Sequence, residues 1–529
     1  MATHSILRRI TQSTGIVMAS VLISRVLGLA REWTVAHQFG SNAITDAYYA
    51  AFTLPDFLNY LVAGGSLSLI FIPVVTKYLA VNKEDEAWHV FSTVITFMSI
   101  VLVGLILVAI FFAPQLVEVI VPGFPPAEKA RVVFLTRLML PAQYCFYVGS
   151  ILSAVQYAKE QFIIPSLAPV IYNLGIILGG VLLASRIGIT GFSVGVLSGA
   201  LVGNLLIQVY GAWRAGARFR PNFDLRHPGF ILFLKLAVPI MLALSLTFTD
   251  DWIMRRFASY LQPASITWLT YAKNLMRVPL GVVAQAVGVG SFPYLAQLYS
   301  EGKFEEMNRT LSATLKGLML LLIPISALMM AESLPLVHFA FTHTRLRGPD
   351  YDATGAALVM FSLGLCAWGV QGIVARGYYA TRNTLVPAII GTALTFLNLP
   401  VYWYLSRHLQ HVGLALASTT GIAAYCIVLF VMLNRRTRNR HASELVWFFG
   451  KITAASAGAA LVCYRLTTWL GTRISWNTTH GSFAVLVIAT TAGVVLTIVL
   501  GKLLRIREFD AYLAKLRLRR APVPALPPS

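Results

Sequence analysis

The chain has little charge, and least of all acid. Only 12% of its 529 residues are Asp, Glu, Lys or Arg, and 21 acids stand against 42 bases. With 57% hydrophobic residues and a mean hydropathy of +0.71, this excludes a soluble globular protein and places the chain in a membrane. The four cysteines, Cys145, Cys366, Cys426 and Cys463, all fall in apolar runs without C-x-x-C spacing. That excludes a disulfide framework or a zinc ribbon and leaves small packing residues. The ten histidines form no H-x-x-x-H or H-E-x-x-H pattern, so no metal site is expected. The first apolar run is interrupted by Arg25 and lacks a small-residue cleavage site, which reads as a retained helix. A net charge of +21 has the size expected of a nucleic-acid binder. Its placement, in short loops beside apolar runs, instead fits the anchoring of one membrane face and argues against nucleic acid.

What the sequence has in abundance is apolar runs of membrane-crossing length. A span needs about 20 residues. Fourteen runs meet that length, at 15–37, 46–76, 88–120, 131–156, 161–184, 189–213, 230–257, 264–298, 308–331, 351–379, 384–406, 412–434, 446–470 and 481–503. An even count puts both ends on one side. That side holds Arg8, Arg9, Lys77, Lys83, Lys159, Arg214, Arg218, Arg220, Arg226, Lys303, Arg309, Arg382, Arg435, Arg436, Arg438, Arg440 and the tail. The other holds Lys129, Arg131, Arg186, Arg345, Arg347, Arg407 and Arg473, a roughly threefold asymmetry that makes both termini cytoplasmic. Tyr157-Ala-Lys-Glu-Gln-Phe-Ile-Ile-Pro165 matches Tyr379-Ala-Thr-Arg-Asn-Thr-Leu-Val-Pro387 at an offset of 222, and Phe71-Ile-Pro73 matches Ser291-Phe-Pro293 at 220. Six runs lie between the copies, so the repeat is expected to be parallel. The expected organisation is an all-α polytopic membrane protein. It has six-helix lobes at 1–220 and 221–440, an extra helix pair at 441–505 and a basic, Pro-rich cytoplasmic tail at 506–529.

Charges inside the runs are clustered. Arg25, Arg31, Glu32 and Asp46 crowd the first two, while Asp250, Asp251, Arg255, Arg256, Lys273 and Arg277 crowd the seventh and eighth. A charge at bilayer depth costs several kcal/mol unless paired or wetted, so such clusters mark a polar substrate pathway, here two walls of one cavity. Each residue also has a plainer reading. Arg31 has Glu32 and Asp46 as pairing partners, Asp46 beside Thr45 has an N-cap role, and Asp250 and Asp251 have Arg255 and Arg256. The same two aspartates are the weak candidates for Na⁺. Lys273 and Arg277 lie one helical turn apart with no neutralising residue nearby in sequence. Asn383 suits a turn, and Tyr48, Tyr49 and Phe52 suit packing.

The ordered set Ser24-Arg25-Val-Leu-Gly28-Leu-Ala-Arg31-Glu32, Thr45-Asp46-Ala-Tyr-Tyr-Ala-Ala-Phe52-Thr-Leu-Pro55, Gly65-Ser-Leu-Ser68 and Phe71-Ile-Pro73 resembles the amino-terminal signature of the MurJ/MviN lipid II flippases. Pro122-Gly123-Phe124, Pro165 with Asn173, and the turn from Tyr379 to Pro387 extend the resemblance along the chain. That family belongs to the multidrug/oligosaccharidyl-lipid/polysaccharide exporter superfamily. The resemblance implies a transporter, not an enzyme, in the bacterial inner membrane. It implies alternating access through a V-shaped cavity, with the last two spans shaping a groove for a polyprenyl tail. The implied substrate is undecaprenyl-diphosphate carrying the peptidoglycan precursor, lipid II. Membrane lipids and cell-wall synthesis proteins are the implied partners. No cofactor is expected, and the membrane potential or a monovalent cation is the candidate driving force.

Arginine suits phosphate because its planar fork donates two parallel hydrogen bonds. The candidate substrate-binding residues are Arg25, Arg31, Glu32, Asp46, Asn59, Lys273, Asn274 and Arg277. Asn59-Tyr60 stands where the family has an arginine pair, and Asn274 where it has another arginine, so a different polyprenyl-linked cargo or a non-transporting relative is the alternative. A drug exporter would favour acidic, aromatic cavity walls. A membrane glycosyltransferase or acyltransferase would need a carboxylate or histidine constellation, and the longest external loop, about 332–351, offers only His338, His343 and Asp350.

Overall fold

The computed structural model describes residues 2–62, 66–247, 249–381, 383, 385–439 and 441–509. Gly65, Arg382, Arg440 and residues 510–529 of the tail lie outside the described residues, as do the side chains of 2–14, 62, 66–70, 238–247 and 284–293, among them Arg8, Arg9, Ser66, Ser68, Phe292 and Pro293. The described residues form helices and no strand. In chain order these are α1 (Ala2–Phe39), α2 (Ala43–Ala51), α3 (Thr53–Val62), α4 (Ser66–Leu79), α5 (Glu84–Phe111), α6 (Ala113–Ile120), α7 (Pro126–Met139), α8 (Ala142–Ala158), α9 (Ile163–Ile187), α10 (Thr190–Ala200) and, after a π-helical stretch at Leu201–Leu206, α11 (Ile207–Arg214). The chain continues with α12 (Pro228–Thr247), α13 (Thr249–Ala258), α14 (Ser265–Ser300), α15 (Phe304–Ala331), α16 (Ser333–Ala340), α17 (Gly348–Leu363), α18 (Leu365–Ala380), α19 (Leu385–Leu397), α20 (Leu399–Thr437), α21 (Ala442–Gly471) and α22 (Thr479–Leu503).

Nine stretches among the described residues are long and apolar enough to cross a membrane, and Pro228–Ala237 and Leu385–Leu397 are shorter apolar helices. The single run expected at 46–76 is instead three helices. Phe52 closes α2, and Pro55, which lacks an N–H, sits in the first turn of α3. The runs at 384–406 and 412–434 meet inside α20, which bends at Gln410 (φ 52°, ψ −135°). The external loop expected at 332–351 is largely helical, because α16 and the start of α17 occupy it.

The repeat is visible in the backbone. α5 and α15 each have 28 residues, start 220 apart, and begin after a lysine in the same conformation, Lys83 at φ −98°, ψ 60° and Lys303 at φ −85°, ψ 64°. Lys83 N–H donates to Tyr78 O at 3.0 Å and Lys303 N–H to Leu298 O at 2.9 Å. The residue before each lysine has positive φ, Asn82 at 55° and Gly302 at 72°. α6 and α16 each have eight residues and follow a one-residue break. At the 222 offset, Gln161 N–H donates to Gln156 O at 2.8 Å and Asn383 N–H to Tyr378 O at 3.0 Å, so Asn383 does serve the turn.

Contacts divide the chain into two compact units. The first holds Met1–Tyr271, His343–Asp350 and Thr384–Ala417. Within it α1 packs on α9, α9 on α10, α4 on α8, and α12 on α3, α4 and α19. The α9–α10 contact is close because glycines meet there, and a Cβ on Gly179 would lie 2.5 Å from the Gly195 Cα. Tyr48, Phe71, Phe91, Tyr147, Phe192 and Phe233 fill the core. The second unit holds Ala272–Thr342, Tyr351–Asn383 and Ser418–Ser529. There α15 packs on α18 and α21, and α22 packs on α16 and α21 around Leu315, Leu318, Leu322, Val374, Leu429 and Ile452. The cysteines are all free; Cys145, Cys426 and Cys463 are buried and Cys366 half-buried.

Candidate functional site

In the first unit, α1 lays Ser20, Ser24 and Arg31 along α9. Ser20 Oγ donates to the Ser166 carbonyl. Asn173 Nδ2 donates to Pro169 O at 2.9 Å and to Ser24 Oγ at 3.3 Å. With its N–H₂ so engaged, the amide turns Oδ1 towards Arg31, whose Nη1 lies 3.4 Å away. Glu32 Oε1 accepts from Arg31 Nε at 3.2 Å and Nη2 at 2.5 Å, while Oε2 accepts from Tyr49 O–H at 2.5 Å. The Glu32 side chain is 2% exposed and that of Arg31 25%. A buried carboxylate therefore clamps one edge of the guanidinium, and among the described residues the Nη1 edge keeps one long contact. Such an edge can be taken over by an anionic oxygen. Arg25 is exposed on the same helix.

Asp46 is not the N-cap of α2, the plainer of its two readings. Asn42 is the cap of α2, extended at φ −167°, ψ −177°, with a side chain that accepts from Ile44 and Thr45 N–H. Asp46, a turn further on, points across to the start of α14. Its Oδ2 accepts from Ala264 N–H at 2.8 Å, and its Oδ1 from Thr267 N–H at 2.8 Å and Thr267 Oγ1 at 2.6 Å. These are the N–H groups that a helix start leaves without partners, and the positive end of the helix favours the carboxylate. Trp268 extends this join, its Nε1 donating to Ser41 Oγ and Asp350 Oδ1, both at 3.0 Å. Asn59 is half-buried on α3. Asp250 and Asp251 open α13; Asp250 accepts from Tyr402 O–H, Arg255 donates to Thr53 Oγ1 at 2.7 Å and Arg256 to the Val119 carbonyl. Among the described residues, no group of three His, Cys, Asp or Glu side chains could hold a metal ion.

In the second unit, Lys273 is 5% exposed and its ammonium sits 5.7 Å from the Phe361 ring and 5.9 Å from Trp368. Aromatic faces stabilise a desolvated cation there. Asn274 is half-buried and Arg277 exposed, so two cations one turn apart experience different surroundings.

The structure thus brings Arg31 and Glu32 together, puts Asp46 at the α14 start, and leaves Arg25 and Asn59 outside both contacts. Sequence reading missed Asn173, Tyr49 and Thr267 as partners. A lone amide four residues after Pro169 in an apolar helix was the available signal for Asn173. Tyr48 and Tyr49 are buried, at 1% and 5% exposure, as packing predicts, but the Tyr49 hydroxyl also holds Glu32.

Long apolar helices define a polytopic membrane protein, and the backbone matches the fold of solved transporters. A structure described as lipid II flippase MurJ in an inward closed conformation superposes with TM-score 0.75 at 23% identity, covering 92% of this chain and 98% of that one. An inward-facing multidrug resistance MATE family transporter gives 0.65 at 13% identity, covering 80% and 98%. The family model described as lipid II flippase MurJ matches residues 35–478, and the chain belongs to that family. A probable lipid II flippase MurJ of Buchnera aphidicola is 27% identical over 463 residues, 86% of this chain and 90% of that one. The lipid II flippase MurJ of Burkholderia cenocepacia is 26% identical over 464 residues, 86% and 89%.

Proposed function

We propose that this chain moves lipid II from the cytoplasmic to the periplasmic leaflet of a bacterial inner membrane by alternating access. The observation that carries the reading is Arg31 on α1, in the first expected span, clamped by a buried glutamate on one edge and holding a long contact to Asn173 on the other, which an anion can replace. A diphosphate cannot cross hydrocarbon bare, and such a cation lowers that cost. The polyprenyl tail stays in the bilayer. The same reading takes fourteen spans, two six-helix lobes divided near 220 and 440, an added pair and a cytoplasmic tail. Both termini are cytoplasmic on the Lys/Arg asymmetry. Membrane potential or a monovalent cation drives the cycle, and cell-wall synthesis proteins are its neighbours.

Complementation of a conditional lipid II flippase mutant tests the cargo. The wild-type chain restores growth, and Arg31→Ala lowers flipping at least about 10-fold, the worth of one charge-assisted hydrogen bond, while still reaching the membrane. Full activity of Arg31→Ala removes the site. Asn59 and Asn274, where the resemblance implies arginines, favour a second reading, another polyprenyl-diphosphate-linked glycan. A wild-type chain that never complements supports it. For orientation, cysteines placed at Arg218 and Arg347 are exposed to an impermeant maleimide from outside. Position 347 labels and 218 does not; the reverse pattern inverts the topology.

A further inference from the structure

Glu332 joins α15 to α16, and the first copy of the repeat shows that this joint needs no carboxylate. Its counterpart 220 residues earlier is Phe112, at φ −85°, ψ 8° against φ −110°, ψ 19° for Glu332. Phe112 N–H donates to Val108 O and Glu332 N–H to Leu328 O, both at 2.9 Å. Yet Phe112 is 45% exposed, whereas Glu332 is 4% exposed. Its Oε1 accepts from Cys463 Sγ on α21 at 3.0 Å and its Oε2 from Thr490 Oγ1 on α22 at 2.7 Å. Leu328, Ala331 and Ala489 pack with Cys463 into an apolar cluster around it.

Among the described residues, no Lys, Arg or His forms an ion pair with Glu332. On α15, Glu305, Glu306, Arg309 and Lys316 lie towards the other end, and Lys316, about 24 Å away along the helix, pairs with Glu444 and Glu508. On α16, the His338 ring is stacked on Tyr351 at 4.0 Å. On α21, Glu444 and Lys451 sit at least twelve residues from Cys463, and Tyr464 and Arg465 are exposed. On α22, His480 and Lys502 are each at least ten residues from Thr490. An isolated carboxylate in an apolar enclosure costs several kcal/mol, and a proton is the smallest ligand that removes the charge. The group follows the Phe304–Ala331 span and meets Cys463 and Thr490 inside the Ala442–Gly471 and Thr479–Leu503 spans.

We propose that Glu332 is a proton-binding site that holds its proton at neutral pH and, so loaded, latches the α21–α22 pair onto α15–α16 through Cys463 and Thr490. When the proton passes to water, the Cys463 thiol and the Thr490 hydroxyl only partly offset a full charge in an apolar enclosure, so water or a cation enters and the latch opens. The inference holds whatever cargo the chain carries.

Dicyclohexylcarbodiimide, which reacts with protonated carboxylic acids in apolar surroundings, tests it on the full chain in lipid nanodiscs, with modified peptides read by mass spectrometry. Glu332 is modified at about pH 7, at least about 10-fold more than Glu305 or Glu444, and modification declines as the pH is raised well above neutral. Modification confined to the ordinary carboxylate range, near about pH 4.3, overturns the proposal. The latch is read by N-ethylmaleimide on Cys463, which is 1% exposed. Its protection fails at high pH in the wild-type chain and persists in Glu332→Gln, which keeps the side-chain shape without the titration. Equal loss of protection in both proteins overturns the latch. If Glu332→Gln fails to fold, the wild-type carbodiimide profile decides the proton site alone.

Discussion

The helix pairs α5–α6 and α15–α16 begin after a lysine in the same conformation, run for the same 28 and eight residues, and break at equivalent positions. What they carry is different. The first break exposes Phe112; the second buries Glu332 against two further helices. The shared features are local. Each has a residue of positive φ before the lysine, acids in the first turn of the long helix (Glu84, Asp85 and Glu86, or Glu305 and Glu306), and a proline early in the short one. Left-handed residues end turns, acids favour helix starts, and proline is tolerated in a first turn. Backbone copies therefore survive on a few turn residues, while particular side chains give each copy its chemistry. Residues peculiar to one copy should accordingly matter more than the residues the copies share.

The largest stability effect is expected at Asp46, which has no equivalent in the other copy. Asp46→Ala strips the α14 start of partners for two backbone N–H groups and leaves the Thr267 hydroxyl only Thr45 Oγ1, a cost of about 3 kcal/mol. Equilibrium unfolding in detergent measures it, and a loss under about 1 kcal/mol would make the cap dispensable. Next comes the break itself. Glu332→Phe forces a ring into a filled site and costs about 2 kcal/mol. Phe112→Leu stays within about 0.5 kcal/mol because the position is exposed and stays apolar. Equal effects of the two changes would erase the contrast between the copies. The shared turn is smaller again. Gly302→Val meets a φ of 72° and costs about 1–2 kcal/mol, whereas Asn82→Gly at φ 55° is neutral or slightly stabilising. A tolerated valine would show that the turn does not hold the repeat.

The smallest effect is a pH dependence in the first copy. Asp224 lies in the connection before α12, and its hydrogen bond from His89 on α5, at 3.2 Å, holds its carboxyl below the ordinary value. A lowered folded pKa means stability fully present above the unfolded value of about 3.9 and lost as pH falls through the lowered value. Melting temperatures of wild type and Asp224→Asn should therefore differ slightly at pH 6 and converge in strong acid. A difference that grows on acidification would reverse the sign and refute the assignment.

Much of this was legible in the chain. Apolar runs announce helices because about 20 residues of hydrocarbon must bury every backbone polar group within the helix itself. Both turn repeats were legible because a turn is specified by a handful of adjacent residues. Arg31 and Lys273 stood out in the sequence because charge inside an apolar run is rare. The division of the 46–76 run, the helix inside the 332–351 loop and the bend at Gln410 were not. Hydropathy averages over a window and does not register where one residue leaves the helical conformation.

The sequence by itself determined a many-helix membrane chain, its charged clusters, its family resemblance and its local repeat. Only the tertiary structure decided that Asp46 serves a helix start 218 residues away, that Arg31 faces Asn173 142 residues on, and that Glu332 meets Cys463 131 residues on. The physical reason is that a helix exposes several faces to any neighbour the packing brings. A residue's type states what it can bond, but which partner it meets depends on which helices lie side by side, and no local pattern encodes that.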